Sequence, residues 1–265
     1  MKQRIITATL LIGFILVILF LLPALTPLFI ALVFGLSLWE WVRITKQSSA
    51  NALLTVISTL ALLYAGLCYQ WIFGLLLLTT AIHYAFSIRL IQQFESIINY
   101  RLSPCYLQLI APVLLATTTV VLLRLTAQYP DSHIAASTIV FMVAVVAATD
   151  SGAYFAGRFF GKEKFSPKVS PNKTIEGALG GIASGVIIGL LLLPLINSHQ
   201  IAWWLVIIAL IATALASILG DLFISLIKRQ NAIKDTSNLL PGHGGILDRI
   251  DGLLAGIPVF YLIAL

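Results

Sequence analysis

A chain of 265 residues that is 60% hydrophobic and only 10% charged, with a mean hydropathy of +1.02, cannot assemble a water-soluble surface, because soluble domains carry about 25% charged residues. Its net charge of +6 would suit nucleic acid, but in so apolar a chain the basic residues are those expected of cytoplasmic loops, and nucleic acid is set aside as a partner. Composition alone therefore predicts an all-α, polytopic membrane protein.

Lys2 and Arg4 precede an apolar run at 5–22. That run exceeds the roughly 7–15 residues of a cleavable signal core, and no small-x-small site follows it, so it reads as a retained first span. Crossing the hydrocarbon core takes about 20 apolar residues as helix. Nine runs qualify: 5–22, 25–42, 52–68, 70–88, 107–124, 134–155, 176–195, 202–227 and 250–265. The third and fourth are barely separated, around Tyr69. Cys68 and Cys105 lie in or beside these runs without metal-type spacing and read as small buried hydrophobes. Trp39, Trp41, Trp71, Trp203 and Trp204 lie near span ends, which suits interfacial anchoring. There is no internal repeat and no soluble domain. The natural division is 1–133, holding spans 1–5, and 134–265, holding spans 6–9 with two longer loops at 157–175 and 228–249.

Loop charge gives the orientation. With nine spans and a cytoplasmic N-terminus, 15 of the 16 basic residues fall inside, and Arg124 alone falls outside. The outer connections, such as Pro23-Ala24-Leu25 and Asn197-Ser198-His199-Gln200, carry no charge. This is the positive-inside bias.

The ten acids sort by position. Glu95 and Glu163 sit in loops among bases and read as solvated. Asp131 belongs to an outer loop, and Glu40 reads as an interfacial carboxylate near Arg43. Six others converge on the cytoplasmic side: Asp150 at the inner end of span 6, Glu176 opening span 7, Asp221 near the inner end of span 8, then Asp235, Asp248 and Asp251. Carboxylates within spans are costly unless they face a partner or a cation. Asp248 and Asp251, three apart, share one helix face. Oxygen-only donors of this kind suit Mg²⁺ held with substrate phosphates, with Asp221 and Asp248 as the first metal ligands. No His/Cys cluster competes for zinc, since His83, His133, His199 and His243 are scattered.

Anion-binding groups surround these acids. Lys228, Arg229 and Lys234 lie close in sequence, and Pro241-Gly242-His243-Gly244-Gly245 offers backbone amides that can approach phosphate. The other loop adds Lys168, Ser170, Asn172, Lys173 and Thr174. Neither the Walker nor the dinucleotide spacing occurs, and no Ser/His/Asp arrangement is evident. The pattern points to metal-assisted substitution at phosphorus.

The run Ser225-Leu226-Ile227-Lys228-Arg229, then Lys234-Asp235, then Leu239-Leu240-Pro241-Gly242-His243-Gly244-Gly245-Ile246-Leu247-Asp248-Arg249-Ile250-Asp251 resembles the signature of the phosphatidate cytidylyltransferase (CDP-diacylglycerol synthase) family. Asp150-Ser151-Gly152-Ala153-Tyr154, Gly161-Lys162 and the stretch 167–174 resemble a second block of that family. Asn172 departs from it, standing where the pattern has glycine; this changes loop flexibility and removes no charge. The resemblance covers about 140 to the end loosely and the first half only as apolar spans. It implies a Mg²⁺-dependent nucleotidyltransferase of phospholipid biosynthesis, in which CTP and phosphatidic acid give CDP-diacylglycerol and pyrophosphate. The site would lie at the cytoplasmic ends of the C-terminal helices of about nine, in the inner (cytoplasmic) membrane of a bacterial cell. Catalytic roles fall to Asp221, Lys234, Asp235, His243, Asp248, Arg249 and Asp251. Substrate contacts fall to Asp150, Lys168, Ser170, Asn172, Lys173, Ser225, Lys228, Arg229, Gly242, Gly244 and Gly245. A second cation, a homodimer and the choice between CTP and dCTP stay open. Two rivals remain: a CTP-dependent polyprenol kinase, which would release CDP, and an anion transporter, which would show inverted halves.

Overall fold

The computed structural model describes residues 2–98, 100–129, 132–196, 202–240, 242 and 244–265, with side chains excluded for 2–8 and 132. Among these residues the chain forms nine α-helices, and the all-α reading holds. They are α1 Lys2–Leu16, α2 Thr26–Ile44, α3 Ser49–Cys68, α4 Gln70–Ser96, α5 Pro104–Gln128, α6 Ser132–Phe160, α7 Ile175–Leu192, α8 Trp203–Gln230 and α9 Leu247–Ala264. Seven of the helical segments are long and apolar enough to cross a membrane, from Pro23–Ile44 to Trp203–Gln230. The protein is thus a multi-pass membrane protein.

Local chemistry sets the helix ends. Pro23 cannot continue the first helix, and a short 3₁₀ turn, Pro23–Leu25, leads into α2. Ser48, Ser103 and Thr174 cap α3, α5 and α7 by accepting the amides of Asn51, Tyr106 and Gly177. The break between the third and fourth spans is a single extended residue, Tyr69. Arg124 seals it: its Nε donates to Gly66 O at 3.1 Å and its Nη2 to the same oxygen at 2.7 Å, with Gln70 as a further partner. Its guanidinium also lies 4.3 Å from the Phe73 ring centre. The one basic residue predicted on the outer face is therefore a cation placed on the carbonyl end of a helix.

The core contains Trp41, Phe73, Leu114, Phe141, Phe223 and Phe260, all fully buried. Trp41, expected at the interface, instead packs inside, and its indole N–H donates to Leu107 O at 3.1 Å; a buried indole needs such an acceptor. The other four tryptophans are exposed. Cys68 and Cys105, expected to be buried, are exposed, because the last residue of α3 and the second of α5 fall on outward-facing surfaces. Large exposed side chains such as Leu53, Leu60 and Leu191 form an apolar surface of the kind that lipid covers. α7 carries a stripe of buried glycines: Gly177, Gly181 and Gly185 face α6, and Gly189 faces Leu210 of α8. A methyl group at Gly181 would lie 2.7 Å from Thr149 O, so close helix approach in lipid requires the small residue there.

One loop expectation changes. The segment between α6 and α7 contains an antiparallel hairpin, β1 Lys164–Ser166 and β2 Ser170–Thr174, with Lys164 opposite Thr174 and Ser166 opposite Ser170.

Candidate active site

Spacing on α8 places Asp221, Ser225 and Lys228 at i, i+4 and i+7, on one face. Directly before them, Gly220 lets α9 come close: a methyl there would lie 2.5 Å from Asp251 O. The first turn of α9 then delivers Asp248, Arg249 and Asp251. From α6, Asp150, Tyr154, Gly157 and Arg158 descend along one side. The hairpin supplies Lys164, Phe165, Ser170, Asn172, Lys173 and Thr174. All of these except Gly220 and Ser225, together with Asp235, line a cavity of about 700 Å³.

Two ion pairs tie the elements together. Lys173 Nζ lies 2.5 Å from Asp221 Oδ2, joining the hairpin to α8. Lys228 Nζ lies 2.8 Å from Asp248 Oδ1, joining α8 to α9. Ser225 donates to the other Asp221 oxygen at 3.1 Å. The cavity wall carries five carboxylates (Asp150, Asp221, Asp235, Asp248, Asp251) and five cations (Arg158, Lys164, Lys173, Lys228, Arg249). Two of each sign are consumed by the ion pairs. Among the described residues the other six form none.

Thr236, Ser237 and Gly245, between α8 and α9, are held by two carboxylates. Asp248 Oδ2 accepts from the amides of Thr236 at 2.8 Å and Gly245 at 3.0 Å. Gly242 and Gly244 have φ of 75° and 85°, the left-handed region where glycine costs least. Below them lies Glu40, fully buried. It accepts from Ser237 Oγ at 2.5 Å, Thr236 Oγ1 at 2.9 Å, Ile246 N at 3.0 Å and Leu247 N at 2.7 Å. The interfacial reading of Glu40 is therefore corrected. It is a buried anion at the N-terminus of α9, where unpaired amides and the helix dipole favour negative charge.

Glu95 is corrected likewise. It sits in the last turn of α4, and its Oε1 accepts from Ser166 Oγ at 2.6 Å, Lys168 N at 2.8 Å and Val169 N at 3.2 Å. Glu176, expected to join the acid cluster, instead accepts the amides of Lys162 at 3.0 Å and Glu163 at 3.4 Å and braces the hairpin's base.

Of the residues singled out from sequence, Asp150, Ser170, Asn172, Lys173, Asp221, Lys228, Asp235, Asp248, Arg249 and Asp251 meet at the cavity wall. Ser225 stands behind Asp221. Lys168 turns away, its ammonium on the Glu95 carbonyl, and Arg229 Nε donates to Val169 O at 3.2 Å. Lys234 is exposed off the wall, as is Gly242. Gly244 and Gly245 build the turn, and the Gly245 amide is engaged by Asp248. His243 lies outside the described residues. Sequence reading missed Glu40, Tyr154, Arg158, Lys164 and Phe165. Glu40 had a usable signal, since a carboxylate inside an apolar run is a functional candidate by default.

Long apolar helices around a cavity lined by charged side chains define a multi-pass membrane protein with a charged cavity. The sequence model of the cytidylyltransferase family matches residues 2–265, and the chain belongs to that family; it is a nucleotidyltransferase. It is 38% identical over 267 residues to the phosphatidate cytidylyltransferase of Pseudomonas aeruginosa, covering 98% of this chain and 95% of that protein. It is 32% identical over 284 residues to the Haemophilus influenzae enzyme of the same name, covering 98% and 97%. To the Brucella suis protein of that name it is 47% identical over 132 residues, about half of each chain.

Proposed function

We propose that the chain transfers CMP from CTP to phosphatidic acid, giving CDP-diacylglycerol and pyrophosphate. The observation that carries this reading is the cavity itself: five acids and five bases gathered from α6, the hairpin, α8, α9 and the connection between the last two, in a chain whose relatives are named for that reaction. An oxygen of the phosphatidate phosphate attacks the α-phosphorus of CTP. The new P–O bond forms as the bond to the bridging β-oxygen breaks, and pyrophosphate leaves with that electron pair. Lys173, Lys228 and Arg249 stand where they can hold the triphosphate and offset charge on the leaving group.

A wall with as many carboxylates as cations repels a second polyanion unless further positive charge enters. The donor set fits a hard divalent cation. Asp221 and Asp248 offer oxygen ligands from adjacent helices, with Asp150 and Asp251 beside them. Mg²⁺ is commonly bound by one or two carboxylates plus substrate phosphates and waters; among the described residues no group of three His, Cys, Asp or Glu side chains is placed to hold a metal by itself. Bound there, Mg²⁺ would neutralise phosphate charge and fix substrate orientation. Lys173 and Lys228, now paired with those two aspartates, would turn toward phosphates instead. The bias of basic residues supports a cytoplasmic N-terminus and a site open to the cytoplasm, in a bacterial inner membrane.

Purified protein in detergent, given labelled CTP, phosphatidate and Mg²⁺, is expected to yield CDP-lipid and pyrophosphate, with chelation stopping the reaction. Release of CDP with a phosphorylated lipid would overturn the reading in favour of a kinase. Lys173→Ala is expected to raise KM for CTP about tenfold or more, the effect of losing one charged hydrogen bond, without abolishing turnover. An unchanged KM would remove Lys173 from the contact role.

A further inference from the structure

Resting on this reaction, we infer that Arg158 and Lys164 bind the phosphate of the lipid substrate, at a rim where its acyl chains pass from the cavity into the bilayer. Both side chains line the cavity, and both are exposed. The local fold brings them together. Lys164 is the register partner of Thr174 in the hairpin. A methyl at Gly157, the residue before Arg158, would lie 3.1 Å from the hydroxyl of that same threonine.

Their chemistry differs from that of Lys173 and Lys228, and among the described residues they share with Arg249 the lack of an ion pair. Lys173 and Lys228 are neutralised by Asp221 and Asp248. Arg158 has only a neutral partner, the Tyr154 hydroxyl, to which its Nη1 donates at 3.4 Å. Among the described residues Lys164 has no ion-pair partner at all. A phosphomonoester carries close to two negative charges near neutral pH. An arginine fork beside a lysine matches that charge and its several acceptor oxygens.

The surroundings select a lipid over the nucleotide. Tyr154 and Phe165 line the cavity and are 60% and 40% exposed. Phe155, Phe159 and Phe160 extend this face at the end of α6, between 56% and 70% exposed. Aromatic side chains at a helix end suit the headgroup level of a bilayer. A cytosine base needs at most one or two such rings to stack on, whereas a phosphatidate needs its phosphate held inside and its chains released along an apolar rim.

The test compares Arg158→Ala, Lys164→Ala and the double variant with wild type in mixed micelles of phosphatidate. KM for phosphatidate is expected to rise about tenfold in each single variant and further in the double, while KM for CTP moves less than twofold. The unchanged CTP response certifies a folded site, and Arg158→Lys is expected to recover part of the loss. An equal rise in KM for CTP, or no change for phosphatidate, overturns the assignment. A second arm needs no turnover: native mass spectrometry of detergent-purified protein with phosphatidate alone. Wild type is expected to retain phosphatidate adducts and the double variant to lose them. Equal retention overturns the inference. Failure of wild type to form CDP-lipid while still retaining phosphatidate would instead overturn the proposed reaction and leave the lipid site standing.

Discussion

Asp248→Asn is expected to lower kcat for CDP-lipid formation by on the order of 10³, about 4 kcal/mol of transition-state stabilisation, while the protein stays folded and membrane-inserted. The separation of these two effects follows from how each oxygen is used. Asp248 Oδ2 accepts the Thr236 and Gly245 amides, and an asparagine carbonyl can take both. The segment 231–246 therefore keeps its internal anchor. The other oxygen faces Lys228 Nζ at 2.8 Å, and an amide NH₂ placed there sets donor against donor. The variant loses the negative charge proposed to hold Mg²⁺ and lets the Lys228 ammonium move from its place between α8 and α9. Size-exclusion and thermal profiles close to wild type, with turnover nearly gone, are the expected result. Turnover near the wild-type rate in a folded variant would sink both the metal assignment and the role given to Lys228.

The helices were legible because an apolar run of span length has few alternatives, and most of the observed helices lie over the expected runs. Their inner ends were not. α4 runs on to Ser96 and α6 to Phe160, past the expected ends at 88 and 155, because a charged residue such as Arg89 or Arg158 interrupts an apolar run without interrupting a helix. Asp248 and Asp251 were legible through their spacing of three, and Asp150 and Asp221 through acidity inside apolar runs. The hairpin was not, since Ser170-Pro171-Asn172-Lys173-Thr174 has no alternating pattern. It is held by Glu95 and Glu176 from outside its own strands. Glu95 looked solvated because its partners lie 71 to 74 residues away. Lys168 looked like a phosphate ligand for the same reason: its sequence neighbours suggested the cavity, and its spatial neighbour is Glu95.

Glu40 is the strongest case of this kind, with partners 196 to 207 residues distant, and its removal is expected to have the second large effect. In Glu40→Ala two backbone amides at the start of α9 and two hydroxyls lose their acceptor in a fully buried place. Each orphaned buried donor costs about 1–3 kcal/mol. The two amides alone then remove about 2–6 kcal/mol, a large share of a typical stability of about 5–15 kcal/mol. The hydroxyls can turn to other acceptors and add less. Glu40→Ala is therefore expected to melt many degrees lower, or to be lost in detergent, and to be inactive. Glu40→Gln separates folding from function. Its carbonyl oxygen can serve only one of the two amides, because Ile246 N donates to Oε1 and Leu247 N to Oε2, so the stability change is expected to be nearer the roughly 1–3 kcal/mol of a single orphaned buried donor. Its NH₂, however, must face a donor on Thr236 or Ser237. Thr236 is the residue that also holds Asp248, with Oγ1 at 3.0 Å and N at 2.8 Å. Disturbance of Glu40 thus passes through one threonine to the carboxylate at the centre of the site. A folded Glu40→Gln with kcat reduced at least about tenfold, or about 1.4 kcal/mol, is the expected result. Wild-type kcat in that variant, or an undiminished melting temperature in Glu40→Ala, would show that the buried carboxylate neither supports α9 nor positions Asp248.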